Sequence, residues 1–200
     1  VPQKSAIDNQ EYAGVRRCDW AGSDPVYCRY HDEEWGVPVH DDRKLFEMLI
    51  LEGFQAGLSW ITILKRRERF RAAFDNWDWE AVAAYDRRNV RRLLGDGGII
   101  RNRLKIESAV NNARRFMEVR AEFGAFDRYI WKFTGGKTLV HRTPWKNWKA
   151  IPPRTTLSDA ISADLKKRGF SFVGSTIVYA HMQATGMVDD HHAGCFKCVR

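Results

Sequence analysis

The chain lacks any run of 18 apolar residues, and with it any candidate for a membrane-spanning helix. Its first residues lack the basic start, apolar middle and small-residue cleavage site of a secretory signal, so a soluble intracellular protein with no membrane partner is expected. Cysteine is scarce: Cys18, Cys28, Cys195 and Cys198 are all that the sequence contains. Four cysteines would suffice for two disulfides, but an intracellular chain keeps its thiols reduced and more often commits them to metal. There is no internal repeat, no low-complexity block and no alternating apolar and polar run long enough to build a sheet, which leaves an all-α fold.

What is present fits one sizeable domain. Two hundred residues at 44% hydrophobic content can bury a real core. Lys and Arg number 33 against 25 Asp and Glu, for a net charge of +8, and this excess favours an anionic partner such as nucleic acid. The same charge also serves plain solubility, so charge alone does not decide the function. Eight tryptophans are many for this length, and most are expected in the core.

Residues 1–16 are polar and unpatterned and read as a tail, followed by a single helical domain over 17–200. The aromatic-rich stretch from Cys18 to Asp41 reads as short helix and loop, ending at Gly36 and Pro38. A helix is predicted over 42–56, capped by Asp41 or Asp42, and Ser59 precedes a second one running through Ile63, Phe70 and Phe74. Asp78 and Asp86 open two short helices, the latter stopped by Gly95-Asp96-Gly97-Gly98. Ile106, Ala109, Val110, Ala113, Phe116 and Met117 recur at helical spacing in a long helix that Gly124 ends. A short helix over 126–133, a basic loop over 135–157, a helix capped by Ser158 and a last one over 174–185 complete the chain.

Glu52 has the helical neighbours Met48, Leu49, Gln55 and Ala56, so its carboxyl points into the packed face. An acid aimed at apolar surroundings costs several kcal/mol unless it meets a donor, a charge or a ligand. Glu47, with Arg43 and Lys44 within reach on the same helix, is expected to be an ordinary solvated ion-pair partner.

Cys18 and His31 near one end of the chain, with His191 and Cys195 near the other, offer two thiolates and two imidazoles, the closed donor set of structural zinc. Cys198 and His192 are rival ligands, and two unlinked pairs without metal are an equal reading of the spacing alone. The turn Leu94-Gly95-Asp96-Gly97-Gly98-Ile99-Ile100 between two helices resembles a helix-hairpin-helix element. Glycines there let the backbone approach a phosphate, with Arg101, Arg103 and Lys105 nearby. A glycine-rich link with solvated arginines accounts for this segment equally well.

The runs Tyr30-His31-Asp32-Glu33-Glu34-Trp35-Gly36-Val37-Pro38, Leu45-Phe46-Glu47-Met48 and Leu51-Glu52-Gly53-Phe54-Gln55-Ala56-Gly57-Leu58-Ser59-Trp60 closely resemble the DNA-3-methyladenine glycosylase I family. Lys166-Lys167-Arg168-Gly169-Phe170, Phe172-Val173-Gly174, Asp190-His191 and Gly194-Cys195 continue the likeness, which spans residues 17–198. The resemblance implies an α-helical helix-hairpin-helix glycosylase that excises 3-methyladenine from alkylated double-stranded DNA, releases the free base and works as a monomer. It further implies one structural zinc on Cys18, His31, His191 and Cys195, joining the two ends of the chain. The base-recognising, catalytic carboxylate falls on Glu52 and the pocket aromatics on Tyr30 and Trp60, with Trp20, Tyr27 and Trp35 as pocket wall. Gly57 and Leu58 are candidates to fill the gap left by an extruded base, and Gly97, Gly98 and Arg101 are candidates for the DNA backbone. The hairpin departs from the Leu-Pro-Gly-Val-Gly common in the wider superfamily, and no counterpart of that superfamily's catalytic aspartate is found. The rival functions are a DNA-binding module without catalysis, a hydrolase of free modified nucleosides, and a catalytic zinc, which two thiolates and two imidazoles would leave without a vacancy.

Overall fold

Local capping chemistry starts most of the helices. In a computed structural model that describes residues 14–141 and 144–198, Asp24 receives the amide of Val26 and opens α1 (Pro25–Glu33). Asp41, rather than Asp42, receives Lys44 N and opens α2 (Asp42–Gln55). Asp78 begins α5 (Trp79–Ala83), and Asp86 with Asn89 forms a reciprocal capping box on α6 (Arg87–Gly95). Asn102 caps α7 (Arg103–Phe123), which closes at the left-handed Gly124. Each such cap contributes about 1 kcal/mol. Short α8 (Phe126–Trp131) follows. Then come α9 (Thr156–Lys167) and α10 (Ser175–Ala184).

Three expectations are corrected by this arrangement. The helix predicted from Ser59 to Phe74 is broken at Lys65 and Arg66 into α3 (Trp60–Leu64) and α4 (Arg67–Ala73). The cap of α9 is Thr155, with Ser158 three residues on as its capping-box partner. One small strand pair also exists: β1 (Leu139–Val140) runs parallel to β2 (Val188–Asp189). It lays the basic loop beside the C-terminal segment. The N-terminal tail lies mostly outside the described residues, but the exposed Arg16 is already tied to the C-terminal segment, its carbonyl receiving Phe196 N at 2.8 Å.

α2 is the central element. Its residues from Leu45 through Phe54 are buried without interruption, as expected of a helix surrounded on all sides. It packs against α7, α8, α10 and α3. Phe54, Phe70, Phe74 and Trp77 stack or meet edge to face along one side.

Glu47 departs from its sequence-based expectation. It is buried, not solvated, and receives Arg67 Nε at 2.7 Å, while Lys44 lies 3.4 Å away. Arg67 also donates to Glu34 at 2.8 Å. Burial pushes the Glu47 carboxyl upward, but the hydrogen bond and charge of Arg67 outweigh it and hold it below its ordinary range. Arg67 comes from α4, 20 residues away, so the neighbours along α2 could not reveal it.

Candidate functional site

A cavity of about 360 Å³ opens beside the C-terminal half of α2, within the size range of small-molecule sites. Three regions of the chain meet there. The stretch leading into α1, α1 itself and the turn after it supply Trp20, Tyr27, Tyr30 and Trp35; α2 supplies Glu52 and Gln55; and Trp60 is the first residue of α3. The structure thus brings together every aromatic residue and the acid that the sequence singles out for the pocket. The rings of Tyr30 and Trp60 lie 5.6 Å apart and tilted. Trp20 packs against Tyr27 at 4.9 Å and edge-on against Trp35 at 5.0 Å. These contacts fix rings that would otherwise rotate.

Glu52 is 3% exposed, and its Oε2 has no hydrogen-bond partner among the described residues. Burial alone raises its carboxyl to about 8. Trp20 and Trp60 each carry a buried Nε1 without a partner. Unmet buried polar atoms are rare in folded proteins. Here one acceptor and two donors without partners belong to residues of one cavity, as a site built to take a polar planar ligand requires. Burial, and then the nearby Glu52, raise the Tyr27 and Tyr30 hydroxyls, keeping both as neutral donors.

Sequence reasoning missed the far wall. Trp148, Lys149, Ile151, Pro152 and Pro153 come from the loop that has no periodic signal, and Thr176, Tyr179, Ala180 and Gln183 come from α10. Two of these, Tyr179 through Oη and Gln183 through Nε2, donate at 2.7 Å each to Asp190, a buried carboxylate that also receives Trp145 Nε1 at 2.8 Å. His141 Nε2 lies 2.9 Å from the same group. The Asp190-His191 pair in the sequence was the available signal.

A second cluster sits where the segment around Cys18 and His31 meets the segment around Cys195. The ligand atoms of Cys18, His31 and Cys195 lie within 4.8 Å of one another, all buried. His191 stands beside them, its ring edge-on to His31 at 5.2 Å. Its Nε2 is buried with no partner, while Nδ1 pairs with Asp189 at 2.7 Å. His31 repeats the pattern, with Nδ1 on Asp32 at 2.8 Å. A carboxylate on Nδ1 turns Nε2 toward a metal, a common outer-shell arrangement. Gly36 is needed here: at φ +77° it leaves room for His191, whose Cε1 would stand 2.7 Å from a side-chain Cβ. The hydrogen bond from Cys18, and then His31, draw the Cys195 thiol down, while Cys18 is pushed up by the same partner and by burial. The rival His192 has its Nε2 occupied by the Asp19 amide at 3.1 Å. Cys198 lies outside the three-residue group.

The candidate DNA-contacting residues sit on exposed turns. Leu58 is 39% exposed between α2 and α3, after Gly57 at φ +78°. Arg101 is exposed in the turn from α6 to α7. A Cβ on Gly97 would meet nothing within 4 Å. Gly98 differs, since its amide already donates to Asp96 Oδ1 at 2.7 Å. Lys105, expected near a phosphate, is instead buried, and its Nζ donates to backbone carbonyls of Phe54 and Ala56.

A helical scaffold enclosing an aromatic-walled cavity around a buried acid, with a glycine-rich turn between two helices on its surface, defines a helical DNA glycosylase. The chain belongs to the methyladenine glycosylase family, whose model matches residues 20–198. It is 49% identical over 181 residues to DNA-3-methyladenine glycosylase 1 of Escherichia coli (strain K12), covering 90% of this chain and 96% of that one. A crystal structure of 3-methyladenine DNA glycosylase I superposes with a TM-score of 0.88 at 49% identity, over 92% of this chain and 100% of that one. The 3-methyladenine DNA glycosylase I of Staphylococcus aureus, solved for the structural basis of 3-methyladenine recognition, matches with a TM-score of 0.87 at 33% identity, over 92% and 97% of the two chains. Among the described residues, no helix is long and apolar enough to cross a membrane.

Proposed function

We propose that this chain hydrolyses the N-glycosidic bond of 3-methyladenine in alkylated double-stranded DNA, initiating base-excision repair. The observation that carries the reading is the buried Glu52, with its unpartnered oxygen, in the same cavity as Trp60 and Tyr30. Methylation at N3 makes the base cationic while it is bound to the sugar, so the C1′–N9 bond is already weak. The base leaves neutral with the bonding electron pair, water adds to C1′, and one proton is released. Little acid catalysis is required. Access and recognition are the hard part, and they call for extruding the nucleotide into a closed pocket.

Trp60 attracts the cationic ring by roughly 0.5–2 kcal/mol, and the Tyr30 hydroxyl adds a directional hydrogen bond. Trp20 and Tyr27 complete the wall. Glu52 is held largely neutral by burial at neutral pH. A cationic base entering beside it favours the ionised form, which then accepts from the adenine amino group and stabilises positive charge growing on the sugar. Neutral adenine brings no such charge, so it leaves the buried acid protonated. This is a second basis for rejecting undamaged bases.

Gly57 and Leu58, exposed beside Trp60, enter the space that the extruded base vacates. The α6–α7 hairpin acts as the helix-hairpin-helix element, with Gly97, the turn around Gly98 and Arg101 against the DNA backbone. This contact is blind to sequence. Cys18, His31, His191 and Cys195 fit one structural zinc: the unpartnered His191 Nε2, the two carboxylate-backed imidazoles and the soft thiols support that donor set. An ion held by these four residues would join residues 18 and 31 to residues 191 and 195, a structural role.

The test is release of 3-methyladenine from methylated duplex by wild type, Glu52→Gln and Trp60→Ala. Both variants are expected to fall at least about tenfold, the scale of one or two lost interactions with a charged group. Unimpaired excision by both would remove the proposed pocket.

A further inference from the structure

The geometry points to Gln183 as a specificity-determining residue, an amide oxygen held toward the cavity to accept from the exocyclic amino group of the base. This inference rests on the glycosylase reading and adds which purines that pocket prefers. An isolated glutamine amide can present either end. Gln183 cannot, because its partner Asp190 is a carboxylate, which only accepts hydrogen bonds. The 2.7 Å contact to Asp190 must therefore be made by Nε2. That leaves Oε1, which has no donor partner among the described residues, as the end of the amide free for the cavity that Gln183 lines.

Asp190 in turn has no freedom to let the amide go. It is 1% exposed, and Tyr179, Trp145 and His141 occupy the rest of its accepting capacity at 2.7, 2.8 and 2.9 Å. The backbone of Gln183 is pinned as well, its carbonyl receiving Gly36 N at 2.9 Å. Asp190 is thus a positioning residue, fixing which atom of Gln183 a ligand meets.

The chemistry of the base does the rest. A six-amino purine has two N–H bonds to give, and Glu52 can take only one of them in a single well-aligned contact. A second acceptor from α10 satisfies the other. A six-oxo purine such as 3-methylguanine carries an acceptor at that position, and it meets the Gln183 oxygen acceptor to acceptor, whatever the protonation of Glu52. Sites built to accept from a substrate group reject analogues that cannot donate, since buried polar groups are then left unpaired.

The experiment is single-turnover release of 3-methyladenine and 3-methylguanine from the same methylated duplex, by wild type, Gln183→Met and Asp190→Asn. Methionine keeps the length of the side chain and removes the acceptor. Gln183→Met is expected to slow 3-methyladenine release about tenfold while changing 3-methylguanine release less than about twofold, so the ratio falls. Asp190→Asn, whose own amide can turn Gln183 over, is expected to lower the ratio too. Because a merely structural defect slows both bases alike, equal losses, or an unchanged ratio in Gln183→Met, overturn the assignment. An unchanged ratio in Asp190→Asn overturns the positioning role. Absence of 3-methyladenine release by the wild type would instead overturn the glycosylase reading beneath it.

Discussion

Lys105 reaches across 2.6 Å to the carbonyl oxygen of Ala56, joining the first turn of α7 to the residue that ends α2. It also donates to Phe54 at 2.8 Å. Carbonyls at a helix C-terminus lack intrahelical partners, and a cation there answers both their hydrogen bonding and the helix dipole. Burial lowers the lysine below its ordinary value, but the two carbonyls give the charge a place. The same contact couples the hairpin to the helix that carries Glu52 and to the turn before Trp60. Lys105→Met should therefore cost about 1.5–3 kcal/mol in urea unfolding, the usual worth of hydrogen bonds from a charged group. A variant as stable as wild type would show that water replaces the ammonium at no cost.

Glu52 gives a pH signature. Its carboxyl titrates near 8 in the fold against 4.5 for an ordinary glutamate. Since the folded value is the higher one, the fold binds the proton more tightly than the unfolded chain. Its contribution is complete below pH 4.5 and is lost as pH rises toward about 8. Glu52→Gln, which stays neutral, should melt higher than wild type at pH 8, by about 2–4 °C for each ~1 kcal/mol, and the gain should shrink toward pH 5. Melting curves at both pH values decide it: a gain that is constant with pH would mean that Glu52 is already ionised in the free protein.

The Cys18, His31 and Cys195 cluster joins residues far apart in the chain, so with the zinc proposed there and on His191, metal and global stability should move together. Purified protein should hold one zinc per chain. Prolonged treatment with a strong chelator should lower the melting temperature, and Cys195→Ser should both lose the metal and melt early. A metal-free protein with an unchanged melting point would refute the ligand set.

How much of this was readable beforehand follows the range of each interaction. Caps, glycine stops and the inward face of α2 depend on residues three or four apart, so Glu52 and the aspartate caps could be placed from local spacing. Trp20, Tyr27, Tyr30 and Trp60 were marked by resemblance rather than by periodicity. Glu47 was misjudged because its partner Arg67 arrives from another helix. The place of Gln183 in the wall was invisible for the same reason, since Asp190 holds it together with Trp145 and Tyr179, which are 45 and 11 residues distant from that acid. Lys105 looked like a phosphate ligand because it follows a glycine turn among arginines. Only the packed structure shows its ammonium turned inward.

Leu58 separates packing from function most cleanly. A leucine that follows an apolar helix is ordinarily expected in the core, yet this one is 39% exposed, held at the tip of its turn by Leu58 N donating to Gln55 at 2.6 Å. Truncation there removes little buried surface, so Leu58→Ala should change stability by no more than about 0.5 kcal/mol. If the side chain fills the gap left by an extruded nucleotide, the same variant should lose several-fold in excision from duplex DNA. Binding of free 3-methyladenine, which needs no extrusion, should stay within about twofold of wild type, as read by tryptophan fluorescence. Equal activity on duplex DNA would remove Leu58 from the extrusion step, and a loss of free-base binding would place it in the pocket wall instead.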